Sequence, residues 1–205
     1  MISSASDPRR LIAAAALVLA PLLLAVADTM QLIPGFEFEF TVVMWISFVL
    51  FVPAVLAVAE LARGGAPRLA LLGGAAALVG TVAGASMQVL FRTRAVLESA
   101  ALDAATRDAA VGALEKSGPL ALSTLVPGIL FPLGLLTLGF ALYRSRAVPA
   151  WSAALVALGG VLFPIGHAVG LAPALIGGDL VLLAGLAPIG AGLLRTARPA
   201  VAAVS

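Results

Sequence analysis

The sequence predicts an all-α integral membrane protein: six transmembrane helices as three helical hairpins, plus an outer amphipathic helix in one long loop. Three observations predict it. Hydrophobic residues make up 62% of the 205 and charged residues only 11%, about half the charged fraction of a soluble domain. Six apolar windows each come close to the roughly 20 residues that a helix needs to cross hydrocarbon. The basic residues, eleven arginines and Lys116, stand between or beside those windows.

The windows are Leu11–Ala27, Thr41–Ala62, Leu69–Leu90, Leu120–Tyr143, Trp151–Gly170 and Ala174–Leu194. Only one connection is long, so residues 1–205 read as a single polytopic membrane domain with an insertion at 92–119. The first window follows Arg9 and Arg10 and ends Ala25-Val26-Ala27 before Asp28. It therefore also fits a cleaved secretory signal with a small-residue site. The other five spans keep their orientation in either case.

Before the second window, Pro34-Gly35 signals a turn. The alternating Phe36-Glu37-Phe38-Glu39-Phe40 then predicts an extended segment, rings on one side and carboxylates on the other. It reads as an interfacial anchor with wet carboxylates, the alternative being a mouth that collects cations. Glu60, near the far end of this window, is expected to pair with Arg63 or Arg68. In the third and fifth windows Gly80 with Gly84, and Gly166 with Gly170, offer small faces for close helix approach. Gly73-Gly74 and Gly159-Gly160 thin the same two spans. Pro21, Pro53, Pro127, Pro132, Pro164 and Pro188 lie inside spans and are expected to bend them.

The insertion places Val96, Leu97, Ala100, Ala104, Val111 and Leu114 at helical spacing, with Glu98, Asp103, Arg107, Asp108 and Glu115 on the other faces. This predicts one surface helix, with an Asp103–Arg107 pair at i,i+4, stopped by Ser117-Gly118-Pro119.

Orientation follows from arginine. With the amino terminus inside, inner segments hold Arg9, Arg10, Arg63, Arg68, Arg144, Arg146, Arg195 and Arg198. Outer segments hold Arg92, Arg94, Arg107 and Lys116, and with them most of the acidic residues. Short cytoplasmic loops collect positive charge, so both termini are expected in the cytoplasm of a bacterial-type inner membrane. Tyr143 and Trp151 fall at the inner interface. A shared grammar, Pro before each odd span and Arg then Pro after each even one, suggests hairpins of common ancestry. Positive-inside loops with proline would look alike without it.

Charges inside a bilayer are costly and need a reason. Asp179 lies sixteen residues before Arg195, and His167 sixteen after Trp151, so both sit about 24 Å above the inner interface. Adjacent antiparallel spans would let them meet, either as a polar pin between helices or as a pair that passes protons or holds a ligand. Asp28, Gln31 and Gln88 occupy similar depth in the other repeats, with Arg92 one turn farther out. Together with His167 and Asp179 they define the candidate binding residues, as a polar ring opening outward. Arg92 or Arg94 pairing with Asp28 or Asp179 is the competing arrangement.

Other chemistry is thin. Without cysteine there is no thiolate site or disulfide, and a single histidine cannot supply bis-imidazole haem ligation. His167 with Asp179 would be at most part of a weak metal site, so the cofactor is unknown. Ser86 and Ser123 have no nucleophile motif around them. The basic pI near 9.9 is not organised as a nucleic-acid stripe. The reading favoured by the sequence is a small membrane protein binding or transporting a proton, small cation or amphipathic ligand between the fifth and sixth spans. The alternatives are an accessory or scaffold subunit, and a membrane-embedded enzyme acting on a lipid. Expected partners are membrane lipid and a second copy or another membrane protein, with no nucleic acid.

Overall fold

The computed structural model describes residues 8–36, 38–116 and 118–196. These form α1 (Pro8–Gln31), α2 (Glu39–Arg63), α3 (Pro67–Ser99), α4 (Ala104–Lys116), α5 (Gly118–Ser145), α6 (Ala150–Val169) and α7 (Ala172–Thr196). Glu37, Ser117, Arg198 and Pro199 lie outside the described residues, as do the side chains of Glu115, Pro119, Ser123 and Pro127. All helices except α4 contain a stretch long and apolar enough to cross a membrane. The exposed surface agrees: Leu71 and Leu72 are 71% and 65% exposed, and Val79, Val82, Val89, Phe140 and Val169 also face outward. Water would penalise such a surface, whereas acyl chains accept it. The chain is a multi-pass helical membrane protein.

Each spanning helix packs against the next along the chain, and α1 returns to α7, so the six close into a ring. Glycine makes the close approaches. A Cβ on Gly80 would collide with the Phe131 backbone nitrogen, and one on Gly134 with that of Ala77, so α3 and α5 touch nearly backbone to backbone. The expected Gly80–Gly84 face is in fact divided: Gly80 meets α5, whereas Gly84 meets the Phe48 ring of α2. Adjacent glycines divide similarly, Gly73 toward α5 and Gly74 toward α2, Gly159 toward α7 and Gly160 toward α5. Residues one apart are about 100° apart around a helix, so a glycine pair thins two seams rather than one. Gly170 faces nothing; it is the left-handed C-cap of α6, with φ +65°.

Across the ring α2 meets α5 through Phe48, Phe51 and Phe131. Phe131 stacks edge-on at 5.5 Å from Phe48 and 5.1 Å from Phe51. Beside them a void of about 10 Å³ is lined only by apolar side chains, among them Val55, Leu138 and Leu186, so it is dry. The middle of the bundle is plugged. Two buried hydroxyls cross-link neighbours: Ser47 donates to the Ala20 carbonyl at 2.8 Å and Ser152 to the Gly185 carbonyl at 2.7 Å.

Three local expectations are corrected. The described residues around Glu37 are not extended, because the Phe40 amide donates to the Phe36 carbonyl, Phe38 is in the helical region and α2 begins at Glu39. A carboxylate in the first turn suits the helix dipole. The insertion is not one helix. Residues 92–99 continue α3, which at 33 residues is about 50 Å long and outruns the hydrocarbon. A break at 100–103 follows, and α4 starts afresh where the Asp103 carboxylate accepts from the Thr106 amide at 3.0 Å and hydroxyl at 2.6 Å. Asp103 is thus a helix cap, and Arg107 lies 3.8 Å from Asp108 instead of pairing with it. Glu60 does pair with Arg63, at 3.4 Å and highly exposed.

Candidate functional site

Three helix ends converge at the end of the bundle away from Arg63, Arg144 and Arg195. α1 brings Asp28 one turn before its end, α6 brings His167 in its last turn, and α7 brings Asp179 in its second turn. Asp28 is 0% and Asp179 1% exposed. Their carboxyl groups lie within hydrogen-bonding reach of each other. Neither oxygen of Asp28, nor Oδ2 of Asp179, has a donor among the described residues. Two carboxylates offer only acceptors, so this contact is a bond only when a proton sits between them. In that form the pair carries a single negative charge.

The polar side chain that faces it is His167. Nε2 lies 3.8 Å from Asp28 Oδ1, with the imidazole 34% exposed and the carboxylate fully covered. On the other side of the ring, Nδ1 is 3.0 Å from the Phe163 carbonyl oxygen. A carbonyl only accepts, so Nδ1 carries a hydrogen, and Nε2 is the ring nitrogen that faces Asp28. The C-terminal position on α6 adds the negative end of the helix dipole. The Phe163 ring, 4.4 Å away and tilted 39°, holds the imidazole in place and links it through Phe131 to the central aromatic plug.

Several sequence expectations change here. The charged neighbour of His167 is Asp28, and Asp179 is joined to the imidazole through it. Gly166 meets Leu175 and Gly178 meets Leu162 across the α6–α7 seam, which sets the backbone of Asp179 roughly 7 Å deeper than that of His167. The expected equal height therefore does not hold, and the ring closure of α1 on α7 inserts Asp28. The expected outward-opening pocket between the fifth and sixth spans is instead a covered carboxyl pair behind a partly exposed imidazole, and it draws on the first span too. The polar ring does not assemble. Gln31 is exposed. Gln88 is 1% exposed on α3, a helix that does not touch α1 among the described residues. Arg92 donates to the Phe38 carbonyl at 3.2 Å with its guanidinium 5.7 Å from the Phe38 ring centre, and Arg94 bonds Glu98 at 2.8 Å. Gln88 and Arg92 belong to a separate place, between α2 and α3.

Sequence reasoning also passed over Phe163, although its i,i+4 spacing to His167 marks one helix face. Phe48, Phe51 and Phe131 carry no such local signal. Among the described residues no three His, Asp or Glu side chains are placed to hold a metal ion. The arrangement suits proton chemistry: an imidazole at the surface, a carboxyl pair behind it, and, among the described residues, no donor to either Asp28 oxygen or to Asp179 Oδ2. No protein-family model matches the chain, and no curated protein or solved structure is significantly similar to it.

Proposed function

We propose that this membrane protein binds a proton at the Asp28–Asp179–His167 cluster and exchanges it with the surrounding water through the imidazole. The observation that carries the reading is a fully buried Asp28 within 3.8 Å of a part-exposed His167 and in contact with Asp179. Hydrocarbon punishes unpaired charge, so such a group is retained where it has a use or a partner, and here the partner is itself titratable. The imidazole collects the proton on Nε2 and Asp28 accepts it. The carboxyl pair then stores it as the hydrogen shared with Asp179. In the accompanying topology the six spans are three hairpins, both termini are cytoplasmic in a bacterial-type inner membrane, and the cluster faces the outer side. A proton is favoured over a larger cation or an amphipathic ligand because the carboxyl pair is covered.

His167 is the only histidine, so ¹³C-histidine labelling gives one imidazole signal in the NMR spectrum of the purified protein. That signal should change its chemical shift in Asp28→Asn, whose carboxyl faces Nε2, and change less in Asp179→Asn. Proton uptake by the protein in weakly buffered micelles, read with an indicator dye, should fall in Asp28→Asn. Size-exclusion profiles would show that both variants remain folded. An unchanged signal and unchanged proton uptake in Asp28→Asn would sink the proposal.

A further inference from the structure

A second site lies between α2 and α3, toward the same end of the bundle but on a different face. A groove of about 200 Å³ is lined by Thr41, Val42, Trp45, Gln88, Val89 and Arg92. Its walls differ in kind. Val42, Trp45 and Val89 are exposed apolar side chains on spanning helices, and so belong to the lipid-facing surface. Arg92 stands where α3 leaves the apolar window. One of its N–H groups is used on the Phe38 carbonyl, which leaves four of its five donors for an acceptor beyond. Between these levels Gln88 is 1% exposed, with neither its amide nitrogen nor its amide oxygen partnered among the described residues.

An unpaired carboxamide at the edge of hydrocarbon is costly, and local geometry does not relieve it. The nearby Thr41 hydroxyl is already committed to the Phe38 carbonyl at 2.6 Å. The order along the groove, a cation at the rim, a free amide below it, and Val and Trp surface deeper still, matches the order of groups along one molecule. Phospholipids carry an anionic phosphate, ester carbonyls one step deeper, and then acyl chain.

We propose that this groove is a specific site for an anionic phospholipid. The phosphate accepts from Arg92, an ester carbonyl accepts from the Gln88 amide N–H, and one acyl chain lies along Val42, Trp45 and Val89. Arginine is suited to the phosphate because its planar fork donates two parallel bonds. Trp45 supplies an amphipathic ring at the depth where such rings settle against lipid. The site is independent of the proton cluster, since α3 does not touch α1 or α6 among the described residues.

Native mass spectrometry of the full-length protein tests it. Micelles supplemented with equal amounts of phosphatidylglycerol and phosphatidylcholine should yield one retained phosphatidylglycerol per chain. Gln88→Leu keeps the buried shape without the amide, and Arg92→Gln keeps a polar rim without the charge. Arg92→Gln should reduce retention about tenfold, the scale for a hydrogen bond to a charged group, and Gln88→Leu about three-fold or more, the scale for a neutral one. Asp28→Asn should leave retention unchanged, which separates this result from the fate of the proton site. A photo-crosslinker at Val89 should label lipid. Equal retention of the two lipids, undiminished retention in both groove variants, or crosslinking of Val89 to a second copy or another polypeptide would each overturn the proposal.

Discussion

The two ends of the bundle treat charge in opposite ways. Where Arg63, Arg68, Arg144 and Arg195 gather, the groups stand in the open: the Glu60–Arg63 pair has side chains 74% and 72% exposed, and screened pairs of that kind contribute little. That end is held by backbone contact instead, since the α2–α3 turn at Gly65 sits against the Cα of Ser145. At the other end Asp28 and Asp179 are covered, Gln88 is buried without a partner among the described residues, and the links between helices run through titratable groups. The first end leaves its charge in the open. The second keeps polar groups where they cost the fold something, which is the physical mark of a site.

Removing one polar side chain from each end should separate them most clearly. His167→Leu leaves the buried Asp28 carboxyl without the imidazole that faces it, and should destabilise the protein by about 1–3 kcal/mol, the scale for a buried polar group that loses its partner. Glu60→Leu should change stability by less than about 1 kcal/mol. Reversible unfolding in mixed micelles at neutral pH reads both. Equal effects would mean that the cluster is no more than another surface pair, and the comparison fails.

The next effect belongs to the arginine end. A Cβ at Gly65 would come 2.6 Å from the Ser145 Cα, while Gly64 has nothing within 4 Å. Gly65→Val should therefore cost about 1–3 kcal/mol by overpacking, and Gly64→Ala should stay within about 0.5 kcal/mol. If the two glycines respond alike, steric closure is not what secures that end. A smaller effect comes from Ser152, whose buried hydroxyl reaches the Gly185 carbonyl. Ser152→Ala should cost about 0.6 kcal/mol, in line with other interhelical bonds in membranes, measured by the same unfolding. A loss above about 2 kcal/mol would place a polar linchpin at the wrong end of the molecule.

How much of this could be read from the chain depends on the range of the interaction. The six spans were legible because bilayer thickness acts on about 20 consecutive residues, and each window is locally complete. Counting rise per residue from Trp151 and Arg195 misjudged the relative height of His167 and Asp179, because the α6–α7 contacts of Gly159, Gly166 and Gly185 set those two origins at different levels. What stood beside His167 was not legible either. Asp28 is 139 positions away, since 167 − 28 = 139, and reaches it only because α1 closes on α7, a contact with no local cue. The end of α3 was misjudged because Arg92 and Arg94 mark the end of apolar sequence, and a helix need not stop where the membrane does. The glycine pairs announced thin helices, but their partners depend on which neighbours the ring supplies.

The smallest expected effect lies in the water-exposed insertion, and it tests whether acid acts on the buried cluster or on the surface. The Asp103 carboxyl is held below the ordinary carboxylate value of 3.8, chiefly by the Thr106 hydroxyl and then by the Thr106 amide. A lowered value means that the ionised form is the one the cap uses. Its contribution is therefore complete above about pH 4 and fades as pH falls through the lowered value. Hydrogen exchange at the Thr106 amide, corrected for intrinsic rate, should quicken a few-fold between about pH 6 and pH 3 while the spanning helices stay protected. Asp103→Asn should abolish that response, because asparagine caps a helix comparably well and does not titrate. If Asp103→Asn still loosens α4 in acid, the signal does not originate in the insertion. Its source would then have to be sought along α3 and α5, the two helices α4 touches, and the line drawn here between exposed and covered acids would need to move.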